Sequence, residues 1–244
     1  ISLLSWGGIP RCAKTEHLAL LKEKEISGLR SANGSGKWIA SQTRPDLSVQ
    51  TSLAQQGMQG STEKHARLTV QVVRRAKQFQ DLGLVFRPIH PEKLGVCVHS
   101  DAAFERDSTG RTQSGFALGF CGDHLTKGVE SLWSPAMWRS TRVKRACSST
   151  LVSESQAALD AIRHTEWLAT ILRDALYEKF DVEEREAWMP QLTTCLMTDS
   201  KSLFDTTAGA IGATSHTDKF AVLDVVILSG YMRRLELGLC WCPT

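Results

Sequence analysis

Apolar and polar positions change their period along this chain near residue 90. Before that point the pattern is helical. Residues 16–24 have the makings of a short helix, and Ser31-Ala32-Asn33-Gly34-Ser35-Gly36 reads as a turn cluster. Pro45 and Asp46 favour the start of a helix over residues 45–57. Ser61-Thr62-Glu63-Lys64 opens another, in which Leu68, Val72, Ala76 and Phe79 make an apolar stripe beside Arg67, Arg74, Arg75 and Lys77. The prolines at 88 and 91 end it in a linker.

Beyond the linker the period shortens to that of strands. Residues 94–100, 114–120 and 129–133 read as three short strands joined by turns, hence an antiparallel meander. The longest helical stretch follows, residues 150–178, with Ala158, Ile162, Ala169, Leu172 and Leu176 near one face. A fourth strand at 193–198, a short helix, a helix over 218–235 and a final strand at 237–242 complete the order.

The composition, 42% hydrophobic and 23% charged in 244 residues, suits a folded core and excludes wholesale disorder. No apolar run approaches the roughly 18 residues of a membrane span, so no membrane partner is expected. Seven scattered cysteines, none in a CxxC pair, read as reduced and mostly buried thiols in an intracellular protein. The first residue is Ile, which reads as a start inside a longer open reading frame. Charge is uneven: residues 1–93 carry 14 Lys/Arg against 7 Asp/Glu, and residues 94–244 carry 15 against 19. A basic part joined to a mildly acidic one suits a nucleic-acid platform that feeds a carboxylate site.

Three acids stand at chemically telling points. Asp101 closes the first strand, Glu154 lies in the first turns of the long helix, and Asp199 closes the fourth strand. If the first and fourth strands are neighbours, their carboxylates converge, and a helix across the sheet brings Glu154 to the same place. Such a cluster needs divalent cations to neutralise it, and Mg²⁺ suits hard carboxylate oxygens. Two ions about 4 Å apart would activate a water and stabilise the leaving oxygen of a phosphodiester. Arg139, Arg142, Lys144 and Arg145, placed between the third strand and the long helix, form a basic run that suits nucleic-acid phosphates. Asp224, on the helix before the last strand, reads as a solvated or capping acid; Trp133, Trp138 and Trp167 read as core or edge packing, and His164 as structural.

Short motifs, in order, resemble the end of a copia-type retrotransposon polyprotein. Thr43-Arg44-Pro45-Asp46-Leu47 is similar to that family's T-R-P-D-I; His99-Ser100-Asp101-Ala102-Ala103-Phe104 resembles Y-S-D-A-D-W-A. Thr112-Gln113-Ser114-Gly115-Phe116 resembles R-S-T-S-G-Y, and Ser131-Leu132-Trp133-Ser134 resembles I-S-W-S-S. Glu154 with Ala157 and Ala158 matches the end of S-S-T-E-A-E-Y, although Val152 stands where the family has its first Glu; Thr198-Asp199-Ser200 resembles the T-D-S of ribonuclease H.

The resemblance implies an α/β protein with a ribonuclease H-like mixed sheet flanked by helices, over residues 93–244. A mostly helical end of a reverse transcriptase, residues 1–92, would precede it. It implies Asp101, Glu154 and Asp199 as catalytic metal ligands, two Mg²⁺ ions that Mn²⁺ can replace, and hydrolysis of the RNA strand of an RNA–DNA hybrid. The implied partners are the hybrid and the upstream polymerase domain of the same polyprotein; the implied location is the cytoplasm, in a virus-like particle, and the nucleus. No Y-x-D-D occurs, so polymerase chemistry lies outside this chain. The family's fourth carboxylate belongs to a helix after the strand that residues 239–244 resemble. A domain truncated before that helix would bind metal weakly. The competing expectations are a catalytically degenerate nucleic-acid-binding remnant and an integrase-type nuclease, whose acids run Asp, Asp, Glu.

Overall fold

The first helix, α1 (Glu23–Gln42), runs straight through the stretch that reads as a turn. Packing overrides local preference here. Asn33 is buried in α1, where its Oδ1 accepts a hydrogen bond from Thr69 Oγ1 at 2.9 Å and its carbonyl accepts one from Gln55 Nε2 at 3.3 Å. Gly36 faces the same neighbours: a Cβ there would stand 3.5 Å from Val72 Cγ1. Small and amide side chains in this segment therefore permit close helix approach.

In this computed structural model the described residues are 22–56, 61–104, 112–125, 129–184, 192–209 and 219–243. They divide into two compact units, one on each side of the boundary between residues 84 and 85. Part of the expected 16–24 helix lies outside the described residues, as does Cys12.

In the first unit α1 is followed by a 3-10 turn (Pro45–Leu47), α2 (Ser48–Gln55) and α3 (Glu63–Gln78). The T-R-P-D segment staples these together. Arg44 grips Asp46 with two hydrogen bonds, Nε to Oδ1 at 2.7 Å and Nη2 to Oδ2 at 2.9 Å, and Arg75 of α3 reaches the same carboxylate at 3.3 Å. Arg44 and Asp46 are nearly buried, which makes this a structural ion pair rather than a surface one. α3 starts at a capping box in which Thr62 and His65 satisfy each other's backbone N–H groups.

The second unit contains β1 (Leu94–Ala103), β2 (Gln113–Gly122), β3 (Trp133–Arg142), α4 (Thr150–Leu176), β4 (Thr194–Thr198), α5 (Lys201–Ala208), α6 (Lys219–Arg234) and β5 (Gly238–Trp241). Its sheet has the order β3-β2-β1-β4-β5. β1 to β3 form the antiparallel meander, while β4 lies parallel to β1 and β5 parallel to β4. This is the ribonuclease H-like mixed sheet flanked by helices. Alternation along β1 sends Val96 and Val98 into the main core with Leu118, Ala158, Ile162, Leu196 and Leu228. Cys97 points the other way, into a cluster with Cys121 and Cys195 against Trp133 and Cys240; these cysteines are free thiols packed as small apolar groups.

Three features differ from the sequence reading. The third strand is residues 133–142, not 129–133, because the paired partner of Cys121 is Trp133 and the ladder continues to Gln113 opposite Arg142. Its apolar pattern is interrupted by a bulge opposite Leu118/Gly119 of β2, where Ala136 has no paired partner, and by polar residues, which hides it from a period-2 search. The sheet unit begins at 85 rather than 93, since Arg87 N–H donates to Ser134 Oγ at 2.7 Å and that hydroxyl donates back to the Arg87 carbonyl at 3.0 Å. Trp167, expected in packing, is 55% exposed.

Candidate metal centre

β1 and β4 pair in parallel with His99 opposite Met197. Continuing that register by two residues sets Asp101 across from Asp199. Helix α4 packs over β1, and its start is fixed by Ser149, whose Oγ accepts a hydrogen bond from Val152 N–H at 3.3 Å. Glu154 follows one turn later and is 5% exposed. One carboxylate oxygen from each of Asp101, Glu154 and Asp199 lies within 4.8 Å of the other two. Burial is graded across the group: Glu154 is buried, Asp101 half-buried and Asp199 exposed. The cluster thus has a closed side in the core and an open side to solvent.

Burial and crowding raise two carboxyls of this cluster, Glu154 and Asp101. Burial, then repulsion from Asp101 and Asp199, pushes the Glu154 carboxyl up to about 8. Asp101 is raised to about 6 by burial and by Asp199, with a backbone hydrogen bond at Ala102 working against both shifts. Glu154 Oε2 is buried and has no hydrogen-bond partner among the described residues. A buried carboxylate with one orphaned oxygen, clustered with two more carboxylates, fits a hard divalent cation, which would relieve the repulsion.

The surroundings of Asp199 fix its backbone. Ser200 N–H donates to Thr198 Oγ1 at 3.1 Å, and Ser200 Oγ caps α5 by accepting from Leu203 N–H at 3.3 Å. The Ser of the T-D-S motif is therefore a helix cap. The Trp241 indole N–H donates to the Asp199 carbonyl at 3.3 Å, and Lys201 Nζ lies 4.9 Å from the centroid of the Trp241 ring. The sequence pattern singles out neither Trp241 nor Lys201. The pairing of Thr198 with Trp241 across β4 and β5 is what brings them here.

The basic run is split by the fold. Arg139 and Arg142 belong to β3 rather than to the connection after it, and Arg139 Nη1 lies 3.6 Å from Asp160 of α4. Arg142 and Lys144 are exposed. Arg145 is ion-paired with Asp224 and stacks 5.4 Å from the Phe220 ring centroid. Asp224 is neither solvated nor a cap: it is 2% exposed, and also accepts a hydrogen bond from Ser155 Oγ at 3.3 Å. Sequence spacing could not pair residues 145 and 224 without the α4–α6 packing. His164 is structural, its Nδ1 2.8 Å from the Asp160 carbonyl and its ring 4.7 Å from Phe116.

The order of strands and the placement of helices give a ribonuclease H-like fold. No family model and no curated protein matches this chain. Among solved structures, it is similar to ribonuclease H1 from the halophilic archaeon Halobacterium salinarum, with TM-score 0.38, 14% identity, and coverage of 61% of this chain and 85% of that one. LC11-RNase H1 in complex with an RNA/DNA hybrid gives TM-score 0.38, 13% identity, and 61% and 85% coverage. The foamy viral protease-reverse transcriptase in complex with an RNA/DNA hybrid gives TM-score 0.36, 9% identity, and coverage of 65% of this chain and 19% of that one.

Proposed function

We propose that this chain is a metal-dependent endonuclease that hydrolyses the RNA strand of RNA–DNA hybrids, as part of a copia-type retrotransposon polyprotein. The observation that carries the proposal is the convergence of the Asp101, Glu154 and Asp199 carboxylates, of which buried Glu154 keeps an unsatisfied oxygen. Asp101, Glu154 and Asp199 would hold two Mg²⁺ ions, or Mn²⁺ in their place. When bound, such ions supply the activation of water and the stabilisation of the leaving oxygen.

The chain's own residues do the rest. Asp199, on the exposed side, meets the nucleic-acid backbone first, and Trp241 holds its main chain in place. Burial and the neighbouring acids push the buried Glu154 carboxyl up to about 8, so it would release its proton to solvent on holding a cation. Exposed Arg142 and Lys144, with Arg139 alongside on β3, offer positive charge to the phosphates of the hybrid. The upstream polymerase domain of the same polyprotein is the proposed partner, and the cytoplasm, within a virus-like particle, and the nucleus are the proposed locations. Among the described residues no helix is long and apolar enough to cross a membrane.

The test is cleavage of a labelled hybrid with Mg²⁺, with chelator, and with Asp199→Asn. Cleavage that needs the ion and is lost in the variant supports the proposal. Cleavage that survives Asp199→Asn overturns it, and hybrid binding with no cleavage under any condition identifies a non-catalytic binding remnant instead.

A further inference from the structure

A buried carboxylate outside the metal cluster is also built into this site's frame. Asp224 sits on α6 at 2% exposure, a place where an acid must be paired. Its Oδ2 takes the Arg145 guanidinium and the Ser155 hydroxyl, the latter at 3.3 Å. Ser155 is fully buried, and its one hydroxyl proton is shared between Asp224 and the Val152 carbonyl, the latter at 3.0 Å and one turn back in α4. Arg145 lies in the segment that enters α4, and its guanidinium covers the Phe220 ring of α6. One carboxylate therefore fastens together the entry to α4, the turn of α4 that carries Glu154, and α6.

We infer that Asp224 is a positioning residue for Glu154, acting through Ser155 and Arg145 to hold the first turns of α4 at the register the metal centre requires. The inference rests on reading Asp101, Glu154 and Asp199 as that centre. Asp224 is not itself a ligand: it stands outside the group of three carboxylates and its Oδ2 is engaged by a cation already. A helix advances about 1.5 Å and turns about 100° per residue, so a small slide or rotation of α4 moves the Glu154 carboxylate off a shared ion. Mg²⁺ tolerates such errors poorly, because its octahedron is tight. Supporting residues behind metal ligands commonly set affinity by about 10–100-fold.

The experiment is a calorimetric titration of the full chain with Mn²⁺, comparing wild type, Asp224→Asn and Ser155→Ala, with circular dichroism as the folding control. Asn keeps the shape of the side chain and an acceptor oxygen for Arg145, so the fold should persist. Expected is Mn²⁺ binding weakened by about 10-fold in Asp224→Asn and by a smaller factor in Ser155→Ala, in line with the loss of such supports. The KM for hybrid should stay unchanged, and excess metal should restore kcat. A purely structural role would lower the melting temperature and leave metal affinity alone. Unchanged Mn²⁺ affinity in both folded variants overturns the inference. A wild-type chain that binds no Mn²⁺ overturns the metal-centre reading itself, and the inference with it.

Discussion

Replacing Glu154 by Gln should stabilise the protein in the absence of metal, and only where wild-type Glu154 is forced to ionise. Folding raises this carboxyl from an ordinary 4.5 to about 8, first by burial and then by the charges of Asp101 and Asp199. Between those values the folded chain binds more protons than the unfolded one, so stability falls as pH rises. The contribution is intact below pH 4.5 and fully lost above pH 8. At about 1.4 kcal/mol per pH unit of separation, the cost of ionised Glu154 approaches ~5 kcal/mol. Asp101 contributes in the same direction, but it is partly exposed and shares its repulsion with Glu154, so the two are not summed. The amide of the glutamine variant has no proton to lose. Unfolding by urea in chelator should show the two proteins within about 1 kcal/mol at pH 4 and Glu154→Gln ahead by roughly 2–5 kcal/mol at pH 8.5. The matching rise in melting temperature is on the order of 10 °C. Adding Mg²⁺ at pH 8.5 should close much of the gap by stabilising wild type. A gap that is absent at pH 8.5, or equal at both pH values, would mean that Glu154 ionises without penalty and that the cluster is not electrostatically strained.

Asp46→Ala should destabilise the helical unit by about 3–5 kcal/mol, because it leaves the nearly buried Arg44 guanidinium without its carboxylate; chemical denaturation showing a loss below about 1 kcal/mol would contradict the staple. Gly119→Ala should cost about 1–3 kcal/mol, since a Cβ at the bulge would stand 2.5 Å from Trp133 Cε2; a thermal melt at the wild-type midpoint would contradict the close approach. Arg142→Ala with Lys144→Ala should weaken hybrid binding and flatten its dependence on salt by about one unit of slope per lost phosphate contact; an unchanged slope would place the hybrid elsewhere.

Much of the sheet unit is legible in the residues because burial there is one-sided or complete. The Val-rich β1, the alternation of β2 and the long apolar face of α4 carry their own period, and each acid of the cluster stands at an element's end or first turns. β3 escapes such a reading because its strand pattern is broken by a bulge and by Arg139, Ser140 and Arg142. The turn-like Ser31–Gly36 stretch misleads because Asn33 and Gly36 meet partners some 20 to 40 residues away, which no local window contains. Asp224 misleads for the same reason: the chain separates it from Arg145 and Ser155, and only the packing of α4 on α6 joins them. Asp101, Glu154 and Asp199 can be nominated by position and family resemblance, but their convergence depends on the parallel β1–β4 pairing.

The most direct measurement is anomalous diffraction from crystals of this chain grown with Mn²⁺. The account predicts ordered Mn²⁺ bound by Asp101, Glu154 and Asp199, with Glu154 Oε2 among the coordinating atoms. Diffraction that places no Mn²⁺ between these three carboxylates, at concentrations that support hybrid cleavage, would contradict it.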